Sequence, residues 1–157
     1  STSQTPDNLS NYLNRSMSNR ILIIAHAPLA QALRDCAMHV YDECSADVIA
    51  LDVQPDAQPE DTLAQALDAA GSALDTGLLV LTDIFGATPA NVAQKLVAGS
   101  NAKLIAGVNL PMLVRALTYR NGDLNKLAEK ALSGGQEGVF HFTEEACGTE
   151  DKGVKNK

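Results

Sequence analysis

The sequence has no apolar run long enough to span a bilayer and no pattern of a secretory signal, so a membrane-inserted or exported protein is not the expectation. Cysteine is scarce. Cys36, Cys44 and Cys147 are odd in number and lack framework spacing, which excludes a disulfide scaffold and points to a reduced, cytoplasmic setting. Cys36, His39 and Cys44 fit no standard zinc spacing, so both cysteines are expected to be buried and no metal is expected. Cationic residues are outnumbered, 12 against 19, for a net charge of -7, and they form no basic stripe. That excludes a nucleic-acid surface and makes a compact basic protein the natural partner. There is no P-loop lysine, no dinucleotide fingerprint, no internal repeat and no linker.

What is present is a chain of 157 residues, 45% hydrophobic, with enough apolar mass for one domain. Residues 1–19 are rich in Ser and Asn without apolar periodicity and are read as a disordered extension or expression remnant, Met17 being a possible original initiator. The folded domain is expected over 20–142, with a polar, frayed tail over 143–157.

Strand and helix signals alternate along 20–142. Short β-favouring runs end at His26, Val53, Thr82 and Val108. Between them the spacing predicts a helix over 28–44, with Leu29, Leu33, Cys36, Ala37 and Val40 recurring at helical spacing. A second helix begins near Glu60 and places Leu63, Ala66, Leu67, Ala70 and Leu74 on one face. A third is capped by Thr88 and opened by Pro89, a fourth runs from Met112 to Tyr119, and a last spans Leu124 to Ser133 and ends at Gly134-Gly135. Gly138 to Phe142 can supply a short fifth edge strand, with His141 simply a strand residue. The expected fold is an α/β doubly wound parallel sheet of order 2-1-3-4 with helices on both faces.

In such sheets ligands bind at the carboxyl edge, at the switch point between the first and third strands. Those strands end in His26 and Asp83. A carboxylate on one imidazole nitrogen fixes the tautomer and frees the other as a nucleophile. The loop Asp83-Ile84-Phe85-Gly86-Ala87-Thr88-Pro89-Ala90-Asn91 adds small residues and a helix start, which suit an anion; Gly86, Ala87, Thr88 and Asn91 are the candidate phosphate contacts.

Three segments, Ile-Ile-Ala-His26, Asp83-Ile-Phe-Gly86-Ala-Thr88-Pro89-Ala-Asn91 and Ala106-Gly107-Val108-Asn109-Leu110-Pro111-Met112-Leu113, resemble the mannose-family IIA component of the bacterial phosphoenolpyruvate-dependent sugar phosphotransferase system. The resemblance implies a homodimeric phosphotransferase without a cofactor. It would take a phosphoryl group on His26 from the histidine phosphocarrier protein and pass it to a IIB component. Asp83 would be the hydrogen-bonding partner of His26, and Thr88 part of the phosphate cradle. Many family members have glycine after the active histidine, where this chain has Ala27-Pro28, and sugar transporters often have tryptophan where it has Phe85. A regulatory sensor of phosphorylation state or a non-catalytic anion-binding module are the alternatives. The phosphoryl-donor subunit of dihydroxyacetone kinase resembles the same family.

Overall fold

The computed structural model describes residues 18–144. Four strands, β1 (Arg20–His26), β2 (Val48–Val53), β3 (Leu78–Thr82) and β4 (Lys103–Ala106), form one sheet in the order β2-β1-β3-β4. All three pairings are parallel. The helices are α1 (Leu29–Met38), α2 (Pro59–Ala70), the single turn α3 (Ala73–Thr76), α4 (Thr88–Val97), α5 (Leu110–Thr118) and α6 (Leu124–Glu137). A 3₁₀ segment, Asp42–Asp47, links α1 to β2.

The alternation of side chains along each strand divides the core in two. Ile21, Ile23, Ala25, Leu79 and Leu81 face α1, α5 and α6, whereas Leu22, Ile24, Leu78 and Val80 face α2, α3 and α4. Ile21 to Ala25 and Leu78 to Leu81 are fully buried, which is why both runs read as continuously apolar. Burying each large aliphatic side chain stabilises the fold by roughly 1.5–3 kcal/mol, so the two central strands anchor the carboxyl-edge residues that follow them.

Element ends differ from the sequence reading in ways that have local causes. The first helix stops at Met38 instead of 44, because Arg34 donates to the carbonyls of Ser45 and Val48 and holds the following stretch as the 3₁₀ segment. Its buried face carries Ala30 and Ala37; Leu29, Cys36 and Val40 are exposed, and of the two described cysteines only Cys44 is buried. The second helix breaks at Gly71, whose positive φ of 52° ends α2, and Leu67 turns outward, 47% exposed. The fourth strand is shorter than expected. Gly107 leaves it at φ 90°, and the N–H groups of Gly107 and Val108 both donate to the Thr82 carbonyl.

The last helix runs through Gly134-Gly135, which serve packing and not termination. A Cβ on Gly134 would lie 2.6 Å from Arg115 Cβ, and one on Gly135 would lie 2.6 Å from Met112 Cε, so only glycine lets α6 approach α5 this closely. Asn109 ties the pair together, its side chain accepting from Met112 N–H and donating to the Gly135 carbonyl. Because the helix consumes these residues and is capped by Gly138, the expected fifth edge strand at Gly138 to Phe142 is absent among the described residues. Val139, Phe140 and Phe142 are instead exposed.

Asn19, which the sequence leaves outside the fold, is 3% exposed and donates through its side chain to the carbonyls of Arg120 and Gly122. It fills the space that a Cβ at Gly77 would need. Cys147 and the tail beyond Glu144 lie outside the described residues.

Candidate active site

The register Ile24↔Thr82 between β1 and β3 places His26 and Asp83 just beyond the last paired residues, at one edge. There the two side chains meet. Asp83 Oδ2 accepts from the His26 backbone N–H at 2.9 Å and lies 2.7 Å from His26 Nδ1, while Oδ1 accepts from Ile84 N–H at 2.8 Å. Burial pushes the Asp83 carboxyl up, but the His26 backbone and ring and the Ile84 N–H outweigh it and hold the group below its ordinary value. An ionised carboxylate only accepts, so the hydrogen of the short contact belongs to His26 Nδ1. In the neutral ring Nε2 then keeps its lone pair. The His26 side chain is 51% exposed and that of Asp83 only 12%, so the ring faces solvent on a buried support.

Beyond Asp83 the chain turns through Ile84 and Phe85, which are 60% and 70% exposed. Gly86 follows at φ 96°, a conformation that L side chains rarely adopt. Ala87, extended at φ -92° and ψ 171°, caps α4; Thr88, expected as the cap, is the first helical residue and makes no capping hydrogen bond. Asn91 N–H is satisfied by the Ala87 carbonyl, so it is not available to an anion, although the sequence reading counted it. The Thr88 N–H has no partner among the described residues and lies on an exposed residue; the Ala90 N–H is also unpaired, but Ala90 is fully buried and so is closed to an incoming anion, while the Thr88 and Asn91 side chains are exposed. A helix start with an open N–H group at Thr88 is a suitable place for negative charge.

Pro28, expected inside the first turn of α1, stands at its N-cap without a side-chain acceptor. The cap comes from another strand: Asp52 Oδ1 accepts from Ala30 N–H at 2.9 Å and from Gln31 N–H at 3.3 Å. Sequence reading missed Asp52. The signal was there, since Asp52 is the lone charged residue of the run Val48–Val53 and precedes its last residue.

Of the other candidates, His39 and His141 are exposed and hydrogen-bond to neither His26 nor Asp83, and no cluster of His, Cys, Asp and Glu fit for a metal occurs among the described residues. No helix among them is long and apolar enough to cross a membrane.

Comparison with known proteins bears on the family and the fold. The mannose-specific EIIAB component of the phosphotransferase system of Escherichia coli (strain K12) is 35% identical over 128 residues, 78% of this chain; the chain spans 39% of that longer relative. The sorbose-specific EIIA component of Lacticaseibacillus casei is 30% identical over 107 residues, covering 64% of this chain and 73% of the relative. The solved mannose/sorbose-specific IIA subunit of Enterococcus faecalis has the same fold, with a TM-score of 0.74 at 23% identity, over 81% of this chain and 96% of that one. Residues 20–132 match the model of the EIIA-man family, described as the PTS system fructose IIA component, and the chain therefore belongs to that family of phosphotransferase-system IIA components.

Proposed function

We propose that this chain is a phosphoryl carrier of sugar uptake, accepting a phosphoryl group on His26 Nε2 from the histidine phosphocarrier protein and passing it to a IIB component. The observation that carries the reading is the 2.7 Å contact between His26 Nδ1 and an ionised, partly buried Asp83, which leaves Nε2 of the neutral ring as an exposed nucleophile. The lone pair of Nε2 attacks phosphorus as the donor's own N–P bond breaks, and the electron pair of that bond returns to the donor ring. The His26 ring gains positive charge, which Asp83 stabilises through Nδ1–H. Developing charge on the equatorial oxygens is met by the open N–H of Thr88 and the positive end of α4, with the Thr88 hydroxyl and the small residues Gly86 and Ala87 leaving room for it. Asn91 contributes to this cradle through its exposed side chain only.

The surface around His26 supports a protein partner. The carboxyl-edge segments 27–28, 54–58, 83–87 and 107–109 contain no Lys or Arg, whereas Asp56, Glu60 and Asp61 are exposed there. Leu29, Ile84 and Phe85 supply an exposed apolar rim. A partner with a basic surface and an apolar centre around its own histidine complements both features, and long-range attraction raises the encounter rate of short-lived complexes.

Incubation with phosphoenolpyruvate, enzyme I and the histidine phosphocarrier protein tests the reading. Acid-labile, base-stable phosphate on the chain, lost in His26→Ala, supports it; binding of inorganic phosphate without covalent transfer favours an anion-binding module instead. Transfer onward to a IIB component, or its absence, separates transport from regulatory sensing in the cytoplasm. The same reading includes a homodimer. Strand β4 ends the sheet with an unpaired edge, and the exposed stretch Val139 to Phe142 is suited to pair with that edge on a second copy.

A further inference from the structure

We propose that Asp52 is a second positioning carboxylate of the His26 site, one that closes the start of α1 and keeps a negative charge beside the phosphorylated ring, so that His26 remains a good phosphoryl donor. The proposal rests on the carrier reading above. Strand β1 is flanked on one side by β3, which leads into Asp83, and on the other by β2, whose Asp52 is in register with Ala25. The chain leaving β1 is therefore held from both sides. His26 N–H donates to Asp83, Ala27 N–H to the Val53 carbonyl, and Ala30 and Gln31 N–H to Asp52, while Pro28 has no N–H to offer.

Two helices, α1 and α4, begin at this edge close to His26 in sequence or in space. A helix start carries partial positive charge, and two open ones would compete for a single phosphoryl group. Asp52 fills the first. The Thr88 N–H on α4 stays open, which leaves that helix start as the one that can favour the phosphoryl group on Nε2. The charge has a second consequence. Neighbouring strands lie about 4.8 Å apart, so the Asp52 carboxylate sits on the order of 10 Å from a phosphoryl dianion on His26. At the half-wet edge of a sheet a unit charge at that distance disfavours the phosphorylated form by about three- to tenfold. A carrier that must release its cargo benefits from that bias.

Two variants of the full chain separate charge from capping. Asp52→Asn keeps an oxygen for the Ala30 and Gln31 N–H groups but removes the charge; Asp52→Glu keeps the charge but lengthens the cap. The readouts are the equilibrium ratio of phosphorylated chain to phosphorylated histidine phosphocarrier protein, and thermal unfolding. Asp52→Asn is expected to shift the equilibrium about three- to tenfold toward phospho-His26 with little change in melting temperature. Asp52→Glu is expected to stay within about twofold of the wild-type equilibrium while melting lower. An equilibrium that follows stability instead of charge, or one unchanged in Asp52→Asn, overturns the proposal and leaves Asp52 as a helix cap alone. Should the wild-type chain accept no phosphate, the carrier reading itself falls, and this proposal with it.

Discussion

Replacing Asp83 by asparagine preserves shape but cannot preserve the three hydrogen bonds that the carboxylate accepts. If the amide oxygen takes the position of Oδ2, it still serves the His26 backbone N–H and Nδ1–H, but its NH₂ then confronts the Ile84 N–H, donor against donor. If the amide flips, Ile84 is served and the NH₂ faces His26; the ring must then accept through Nδ1 and carry its hydrogen on Nε2, where it blocks the nucleophile. In either orientation a buried charge-assisted bond is lost, each such bond contributing about 1.5–3 kcal/mol. With the side chain only 12% exposed, solvent compensates little, so the variant should be less stable by about 2–4 kcal/mol at neutral pH. Phosphoryl acceptance should fall by about 10²–10⁴, because the ring loses both its orientation and the charge that stabilises it as the N–P bond forms. Rapid-quench phosphorylation from the phosphorylated donor measures the rate, and urea unfolding measures the stability.

Acid supplies an independent check on the same bonds. The Asp83 carboxyl is held below its ordinary value in the folded chain, so it binds protons more readily when unfolded. Its contribution is therefore fully present above about pH 4 and is lost as pH falls through the lowered folded value. The stability gap between wild type and Asp83→Asn should accordingly hold above about pH 4 and narrow as pH falls below it. A variant whose transfer rate stays within threefold of wild type, or a gap that does not narrow in acid, would refute the reasoning.

His26→Ala should abolish covalent phosphate while leaving the melting temperature within a few degrees, since the ring is half exposed and outside both core clusters. Thr82→Val should be neutral or stabilising by up to about 1 kcal/mol in urea unfolding, because the fully buried Thr82 hydroxyl has no hydrogen-bond partner among the described residues. Gly134→Ala should cost about 1–3 kcal/mol, the new methyl meeting Arg115 Cβ where α5 and α6 touch; an unchanged midpoint would mean that the helices separate at no cost. Light scattering at micromolar concentration should give a dimer mass, and Phe140→Asp should reduce it to that of a monomer; a monomeric wild type excludes the proposed pairing with the β4 edge.

The sheet was legible because its central strands are buried on both faces, so Ile21 to Ile24 and Leu78 to Leu81 read as apolar runs without helical period. Order and edge followed from alternation of strand and helix, and with them the meeting of His26 and Asp83. Helix ends were harder to read, because tertiary contacts set them. Gly134-Gly135 resembles a stop signal in sequence, yet its lack of side chains is used against Arg115 and Met112, facts of a helix 19 and 23 residues earlier. Thr88 before Pro89 resembles a cap, but the cap that forms is Ala87, since the Ala87 carbonyl accepts the first intrahelical bond. Asp52 was missed for a related reason: it caps a helix that precedes it by 22 residues, and no local rule pairs the two.

The charge pattern of the edge bears on what a carrier requires. A protein built to bind phosphate tightly would place Lys or Arg beside the dianion, yet the carboxyl-edge segments carry none and instead bring two aspartates to either side of β1. An uncharged N–H donor at the start of α4 can stabilise the phosphoryl group in transit without holding it as a guanidinium would. Any cation that the transfer needs would then, on the carrier reading, arrive with the partner, present during exchange and absent afterwards. On the carrier reading this explains how one histidine can both accept and release the same group: in the free chain the phosphoryl group meets dipoles and carboxylates only, and its transfer potential stays high until the next partner docks on Ile84 and Phe85. Introducing an arginine at Gln54, an exposed residue immediately after β2, should therefore lengthen the lifetime of the phosphorylated chain and slow onward transfer together. A longer lifetime with undiminished onward transfer would show that retention and release are set by different groups.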